Sequence, residues 1–228
     1  MKLLAIETAT EACSAALSID GEIIERYQVA PRQHTALILS MIDKLMTDAG
    51  LQPQQLDALA FGCGPGSFTG VRIATGVIQG IALGADLGVA PVSTLASLAQ
   101  QCFDLTDADN AFAAMDARMS EIYWGLYQRD DQGFATLIGQ ESVRPALKVE
   151  QPTVNGDGVG SGWQVYQAEL LERCQGWVNN HHAELLPRAS AIAKLGVVKA
   201  NNNQLVPAEK ALPVYLRNNV AKKSAKVQ

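Results

Sequence analysis

Residues 64–76 read GPGSFTGVRIATG: glycines, then hydroxyl side chains, then an apolar run carrying a single arginine, all following the strand-like LDALAFG at 56–62. Backbone amides at a helix start can hold an anion, which makes Gly66, Ser67, Thr69 and Arg72 candidates for such a site. The competing reading is structural, with the glycines making the turn and Ser67 or Thr69 capping the helix. A Walker phosphate loop is excluded, because its lysine must reach the terminal phosphates. Counted from Gly62 the second glycine position holds Ser67, counted from Gly64 it holds Thr69, and neither register supplies a lysine. The dinucleotide fingerprint G-x-G-x-x-G stops at Thr69 in the same way.

Two carboxylates, Glu7 and Asp116, each end a strand-like run, and together could position a magnesium ion in a cleft between two halves of the chain. That arrangement makes an actin-like ATPase or kinase the alternative function, although no nucleotide grip accompanies it. Metal-assisted hydrolysis would need histidines on one helical face. The chain has three, His34 alone at a helix start and the adjacent pair His181 and His182, which cannot both point along one face of a regular element. No metal site and no cofactor are expected from this pattern. No serine sits in G-x-S-x-G, and Cys13, Cys63, Cys102 and Cys174 form no C-x-x-C pair, which suits single buried thiols in a reducing compartment.

The 228 residues carry a net charge of −5, so no global basic footprint is available to grip a nucleic-acid backbone unaided. The one basic cluster is the tail at 217–228, with Arg217, Lys222, Lys223 and Lys226. It reads as a solvated tail or, alternatively, an RNA contact. No apolar run approaches ~20 residues and no signal-peptide order opens the chain, giving the expectation of a cytoplasmic protein with no membrane segment.

The elements that must position these residues come in two similar sets. KLLAIET at 2–8, CSAALSI and EIIERYQV read as three strands, with Asp20-Gly21 as a hairpin turn between the last two. A helix is expected over 34–49, then the strand at 56–62, then the helix after the quoted loop. The second half repeats this with AFAAMD at 111–116, EIYWGLYQ at 121–128, FATLIG at 134–139, TVNGDGVG as a strand entering a glycine loop, and WQVYQAELLERC as a helix. Two α/β units, each with a hairpin on the edge of a partly parallel sheet, fit a pair of ribonuclease H-like lobes in the actin-like (ASKHA) superfamily. The expected lobes are 1–105 and 106–216, followed by the tail; a single doubly wound sheet is the alternative.

Both helices of the first half are more apolar than one sheet requires. Over 71–84, Gly76, Gly80 and Gly84 share a face with Ile73, Val77 and Leu83, while Val71, Ala74, Ile78, Ile81 and Ala82 take the opposite face. Three helical glycines cost about 3 kcal/mol relative to alanine unless another backbone packs closely there. The 34–49 helix shows an apolar arc that includes Leu37, Ile38, Met41, Ile42 and Leu45. With Arg72 at the edge of the stripe, these residues make a candidate partner-binding surface, unless the surplus apolar faces meet within the chain.

LLAIETATEACSAALSIDGEII, PRQHTALILSMIDKLM, ALAFGCGPGSFTGVRIATGVIQGIALG, PVSTLASLAQ, DARMSEIYWGLY and PVYLRNNVA together closely resemble the bacterial TsaB (YeaZ) family. The match runs almost the full length and thins between about 135 and 210. The resemblance implies a two-lobed, non-catalytic relative of TsaD, the subunit that transfers threonylcarbamoyl to adenosine beside the anticodon of tRNAs reading codons that start with A. It implies docking on TsaD through the two N-terminal-lobe helices, TsaE in the larger complex, a functional link to TsaC, and a homodimer when TsaD is absent. Contact with tRNA would be indirect or weak. Where TsaD has its metal-binding histidine pair this chain has STLASLAQ, and Glu7 stands where the superfamily usually has aspartate, which argues against a magnesium-nucleotide site.

Overall fold

The computed structural model describes residues 1–217 and resolves them into two five-stranded sheets. In the first, β1 (Lys2–Glu7) pairs antiparallel with β2 (Ala12–Ile19), which pairs antiparallel with β3 (Glu22–Val29). The hairpin between the last two turns at Asp20 and Gly21, both at positive φ (51° and 96°), as a two-residue turn of this hand requires. After α1 (His34–Asp48), β4 (Ala58–Gly62) lies parallel beside β1; α2 (Phe68–Ala85) then leads to β5 (Val89–Val92) at the far edge.

The second sheet repeats the pattern after α3 (Thr94–Leu105). β6 (Asn110–Asp116), β7 (Ile122–Arg129) and β8 (Ala135–Arg144) form the antiparallel part. β9 (Gly156–Val159) runs parallel to β6, and β10 (Val178–His182) parallel to β9. The helix expected over WQVYQAELLERC is broken at Tyr166 into α4 (Gly162–Val165) and α5 (Gln167–Arg173), and α6 (Ala189–Asn201) closes the set. The strand orders β3-β2-β1-β4-β5 and β10-β9-β6-β7-β8 are the same order read from opposite edges, which is the duplication that the sequence pattern implies.

The packing of the last helix of each half departs from a simple division at residue 105. α3 packs on β6, β7 and β8, whereas α6 packs on β1, β2 and β4, so each half lends a helix to the other's sheet. α3 and α6 touch in the middle, giving layers in the order α1 and α2, first sheet, α6 with α3, second sheet, α4 and α5. Ile192, Ala193 and Leu195 of α6 cover Leu3, Ala5, Ala58 and Ala60, and Leu98 and Cys102 of α3 cover Ala111 and Ala113. The small side chains on the strands let these helices approach closely. Polar groups tie the halves together as well: Glu141 on β8 accepts hydrogen bonds from Ser93, which caps α3, and from Tyr127 on β7.

With 18 residues and a mean hydropathy of 1.3, α2 is long and apolar enough to cross a bilayer by length and composition, contrary to the expectation that no such segment exists. Here it serves as the crossover between the parallel neighbours β4 and β5, with Val71, Ala74, Ile78 and Ala82 buried against the first sheet.

Candidate functional site

The turn from β4 into α2 owes its glycines to close approach. A Cβ at Gly66 would sit 2.7 Å from Ala9, and one at Gly70 would collide with the carbonyl oxygen of Thr8, whose hydroxyl donates to the Gly70 carbonyl at 2.7 Å. Ser67 is the N-cap of α2, its hydroxyl accepting the Gly70 amide at 3.4 Å. Gly66, Ser67, Thr69 and Arg72 do come together at one end of α2, but Arg72 is already engaged. Its guanidinium lies 3.4 Å over the Phe68 ring, and its Nε donates to the Tyr215 hydroxyl at 2.9 Å.

An inter-lobe cleft of about 990 Å³ opens beside this turn, with Gly66–Gly70 on one wall and Met115–Met119 on the other. Glu7 does not reach it. The side chain is fully buried against Gly62, where a Cβ would collide with the carboxylate, and only Oε1 is paired, accepting the Ala9 amide at 2.7 Å. Burial raises its pKa to about 7, partly opposed by the hydrogen bond from the Ala9 amide. Asp116 does line the cleft, but its carboxylate is taken up by the Arg118 amide at 2.8 Å, the Arg118 guanidinium at 3.0 Å and the Tyr166 hydroxyl at 3.3 Å. The paired-carboxylate arrangement expected for magnesium is therefore not assembled among the described residues. Beyond Asp116, three successive non-glycine residues, Arg118, Met119 and Ser120, hold φ near 60° and turn the exposed Met119 into the cleft. Arg217 braces this turn, donating to the Arg118 carbonyl at 3.3 Å and to Glu121 Oε2 at 2.6 Å. Lys222, Lys223 and Lys226 of the basic tail lie outside the described residues.

The two apolar helices divide differently from the sequence expectation. On α1, Ile38, Met41, Ile42 and Leu45 are core residues packed on the first sheet, and Leu37 is half-buried against the same cluster. Their wide arc is consumed inside the chain, because α1 lies in the angle between the sheet and α2, which is the alternative to the partner-binding surface expected for them. On α2 the division holds. Gly76, Gly80 and Gly84 are exposed, and among the described residues nothing outside the helix's own backbone lies within 4 Å of a Cβ added at any of them. Leu83 is 81% exposed, Ile73 and Val77 are half-buried at the stripe's edge, and Arg72 stands at its N-terminal end. Phe68 and Leu39 add exposed apolar surface that the sequence patterns did not single out.

His34 is buried and its Nε2 lies 3.2 Å from the Ala12 carbonyl. His181 and His182 point to opposite faces of β10, as strand periodicity requires. His181 stacks on Trp163, with ring centroids 6.2 Å apart, while His182 Nε2 pairs with Asp157 Oδ2 at 3.1 Å, beside Cys102. All four thiols are buried and unbridged, and burial raises Cys63 to about 12 and Cys13, Cys102 and Cys174 to about 11, which makes each a poor nucleophile.

Comparison with known proteins agrees with this geometry. Residues 22–225 match a family model described as "TsaD: tRNA N6-adenosine threonylcarbamoyltransferase". The chain is 42% identical over 225 residues to the tRNA threonylcarbamoyladenosine biosynthesis protein TsaB of Escherichia coli strain K12, covering 97% of this chain and 96% of the relative. It is 40% identical over 230 residues to the TsaB of Haemophilus influenzae strain Rd, covering 96% and 95% of the two chains. The crystallised YeaZ from Pseudomonas aeruginosa superposes with a TM-score of 0.87 at 43% identity, over 94% of this chain and 99% of that one. The duplicated sheets and near-complete coverage on both sides lead to one assignment: the chain belongs to the TsaB family of tRNA threonylcarbamoyladenosine biosynthesis proteins.

Proposed function

We propose that this chain is a non-catalytic subunit in tRNA threonylcarbamoyladenosine biosynthesis, docking on the threonylcarbamoyltransferase TsaD through the outer face of α2 and the adjoining edge of α1. The observation that carries the docking surface is the glycine stripe. Among the described residues Gly76, Gly80 and Gly84 meet no other element, so the roughly 3 kcal/mol of lost helix propensity is not offset by packing there. Small residues at four-residue spacing suit a second helix backbone lying directly against them. Leu83, Ile73 and Val77 border the stripe and supply apolar area, worth about 25 cal/mol per Å² once covered. In the absence of TsaD, a second copy of the chain would use the same face. The assignment as an accessory subunit is supported by the buried Glu7 and the engaged Asp116. A net charge of −5 suits a subunit whose contact with tRNA is indirect, with TsaE completing the larger complex and TsaC supplying its substrate.

Gly80→Leu places a branched side chain in the stripe, and Val77→Arg places a charge beside it. Each variant should remain folded by circular dichroism yet lose co-elution with TsaD in size-exclusion chromatography. Normal co-elution of both variants would refute the docking face.

A further inference from the structure

We propose that Cys102, Asp157 and His182 form a binding site for a thiophilic divalent cation of the zinc class, fastening α3 to the strands β9 and β10. Each residue offers one ligand atom, and the three atoms lie within 4.8 Å of one another. The topology puts them there. Asp157 and Val159 alternate with glycines on β9, so both side chains face α3; His182, opposite Val159 on β10, faces the same way, and Cys102 comes down from the last turn of α3.

A tetrahedral zinc ion, with Zn–N and Zn–O near ~2.1 Å and Zn–S near ~2.3 Å, sets its ligand atoms about 3.3–3.6 Å apart. His182 Nε2 and Asp157 Oδ2 are 3.1 Å apart, so they need almost no movement, and the thiol requires a shift of at most about 1.5 Å. Thiolate, imidazole and carboxylate together suit zinc over magnesium or calcium, which favour all-oxygen shells. The charges also close, since one thiolate and one carboxylate neutralise a dication in a buried setting, and the thiol proton leaves to solvent on binding. The Arg129 guanidinium, held by the carbonyls of Thr106 and Ala108, remains a nearby positive charge that favours the Cys102 thiolate. Cys102 and Asp157 are buried, but the His182 side chain is 27% exposed, which provides an entry route from solvent. The His182–Asp157 pair alone would be an ordinary hydrogen bond; it does not account for the thiol beside it, whose one side-chain hydrogen-bond partner among the described residues is the Thr106 hydroxyl at 3.8 Å.

The test is a cobalt(II) titration of the full chain after chelator treatment, followed by displacement with zinc(II). The expected result is one equivalent of cobalt showing a sulfur-to-cobalt charge-transfer band and intense visible absorption, both abolished by zinc. Cys102→Ser should remove the charge-transfer band, and His182→Gln should weaken zinc binding more than the roughly 10–100-fold loss typical of outer-shell changes. Cys174→Ser and His181→Gln, which alter residues on the other side of the second sheet, should leave both readings unchanged. Should Cys102→Ser not fold, the His182→Gln comparison decides. Absence of a thiolate band in the unmodified chain would overturn the proposal, as would full affinity in His182→Gln or a band that survives Cys102→Ser.

Discussion

Glu7 ends β1 with its carboxyl shut away from water and one oxygen, Oε2, without a hydrogen-bond partner among the described residues. Its ordinary value of 4.5 is raised to about 7, chiefly by burial, so the folded state holds a proton that the unfolded chain has released. The sign follows from that. Below pH 4.5 both states are protonated and Glu7 contributes no pH dependence; between 4.5 and 7 stability falls as pH rises; above 7 the loss is complete, at about 3 kcal/mol. Glu7→Gln keeps the shape and removes the charge, so its stability relative to the parent should improve by about 2–3 kcal/mol between pH 5 and pH 8 in urea unfolding. An equal offset at both pH values would contradict the buried, proton-holding carboxyl. The sequence showed where Glu7 falls along its strand but not that the strand end is roofed by Gly62, and so a carboxylate suited to a cleft proved to be sealed in the core. Cys102, Asp157 and His182 were hidden for a related reason: they are far apart in the chain, and only the loan of α3 to the second sheet brings them together.

α2 carries two kinds of glycine, and the two kinds predict opposite mutational outcomes. At Gly70 a Cβ would collide with the Thr8 carbonyl, so Gly70→Ala should lower the melting temperature sharply, by the equivalent of several kcal/mol. At Gly80 the surroundings are open, and Gly80→Ala should stabilise the isolated chain by about 1 kcal/mol through helix propensity. Thermal unfolding of the two variants checks both signs, and a destabilising Gly80→Ala would mean the stripe is packed inside the chain after all. The amphipathic pattern of α2 was legible because its apolar and glycine faces are separated by the 100° step of the helix. The breadth of the arc on α1 was legible too, but not its consequence, since an arc cannot say whether its second flank meets a neighbouring helix or solvent. β1 to β4 announced themselves through apolar runs and the Asp20-Gly21 turn. β5 reads VAPV and β10 reads VNNHH, both short edge strands with a proline or polar residues, and neither carries a strand pattern strong enough to see. α6 is alanine-rich with apolar residues spread around it, because it is enclosed between the first sheet and α3.

At the scale of the molecule, the exchange of α3 and α6 packs the two lobes against each other, while α1 and α2 remain on the outside of the first sheet. The cleft lies at one end of this arrangement and meets the α2 stripe only at Ile73, whereas Gly76, Gly80 and Gly84 do not line it, which allows binding and chemistry to be separated experimentally. The duplication of the strand order was visible in the sequence because both halves repeat the same hairpin-first pattern; the helix exchange was not, since it depends on which sheet a helix meets in space. The account's central claim is that this chain acts through its α2 surface and not through chemistry in its own cleft. The most direct measurement is threonylcarbamoyl-adenosine formation on tRNA in a reconstituted mixture with TsaD, TsaE and TsaC, comparing the parent chain, Asp116→Asn, Gly80→Leu and no addition. The account predicts that Asp116→Asn supports modification like the parent and that Gly80→Leu is as inactive as omission. Full activity with Gly80→Leu together with loss in Asp116→Asn would contradict it.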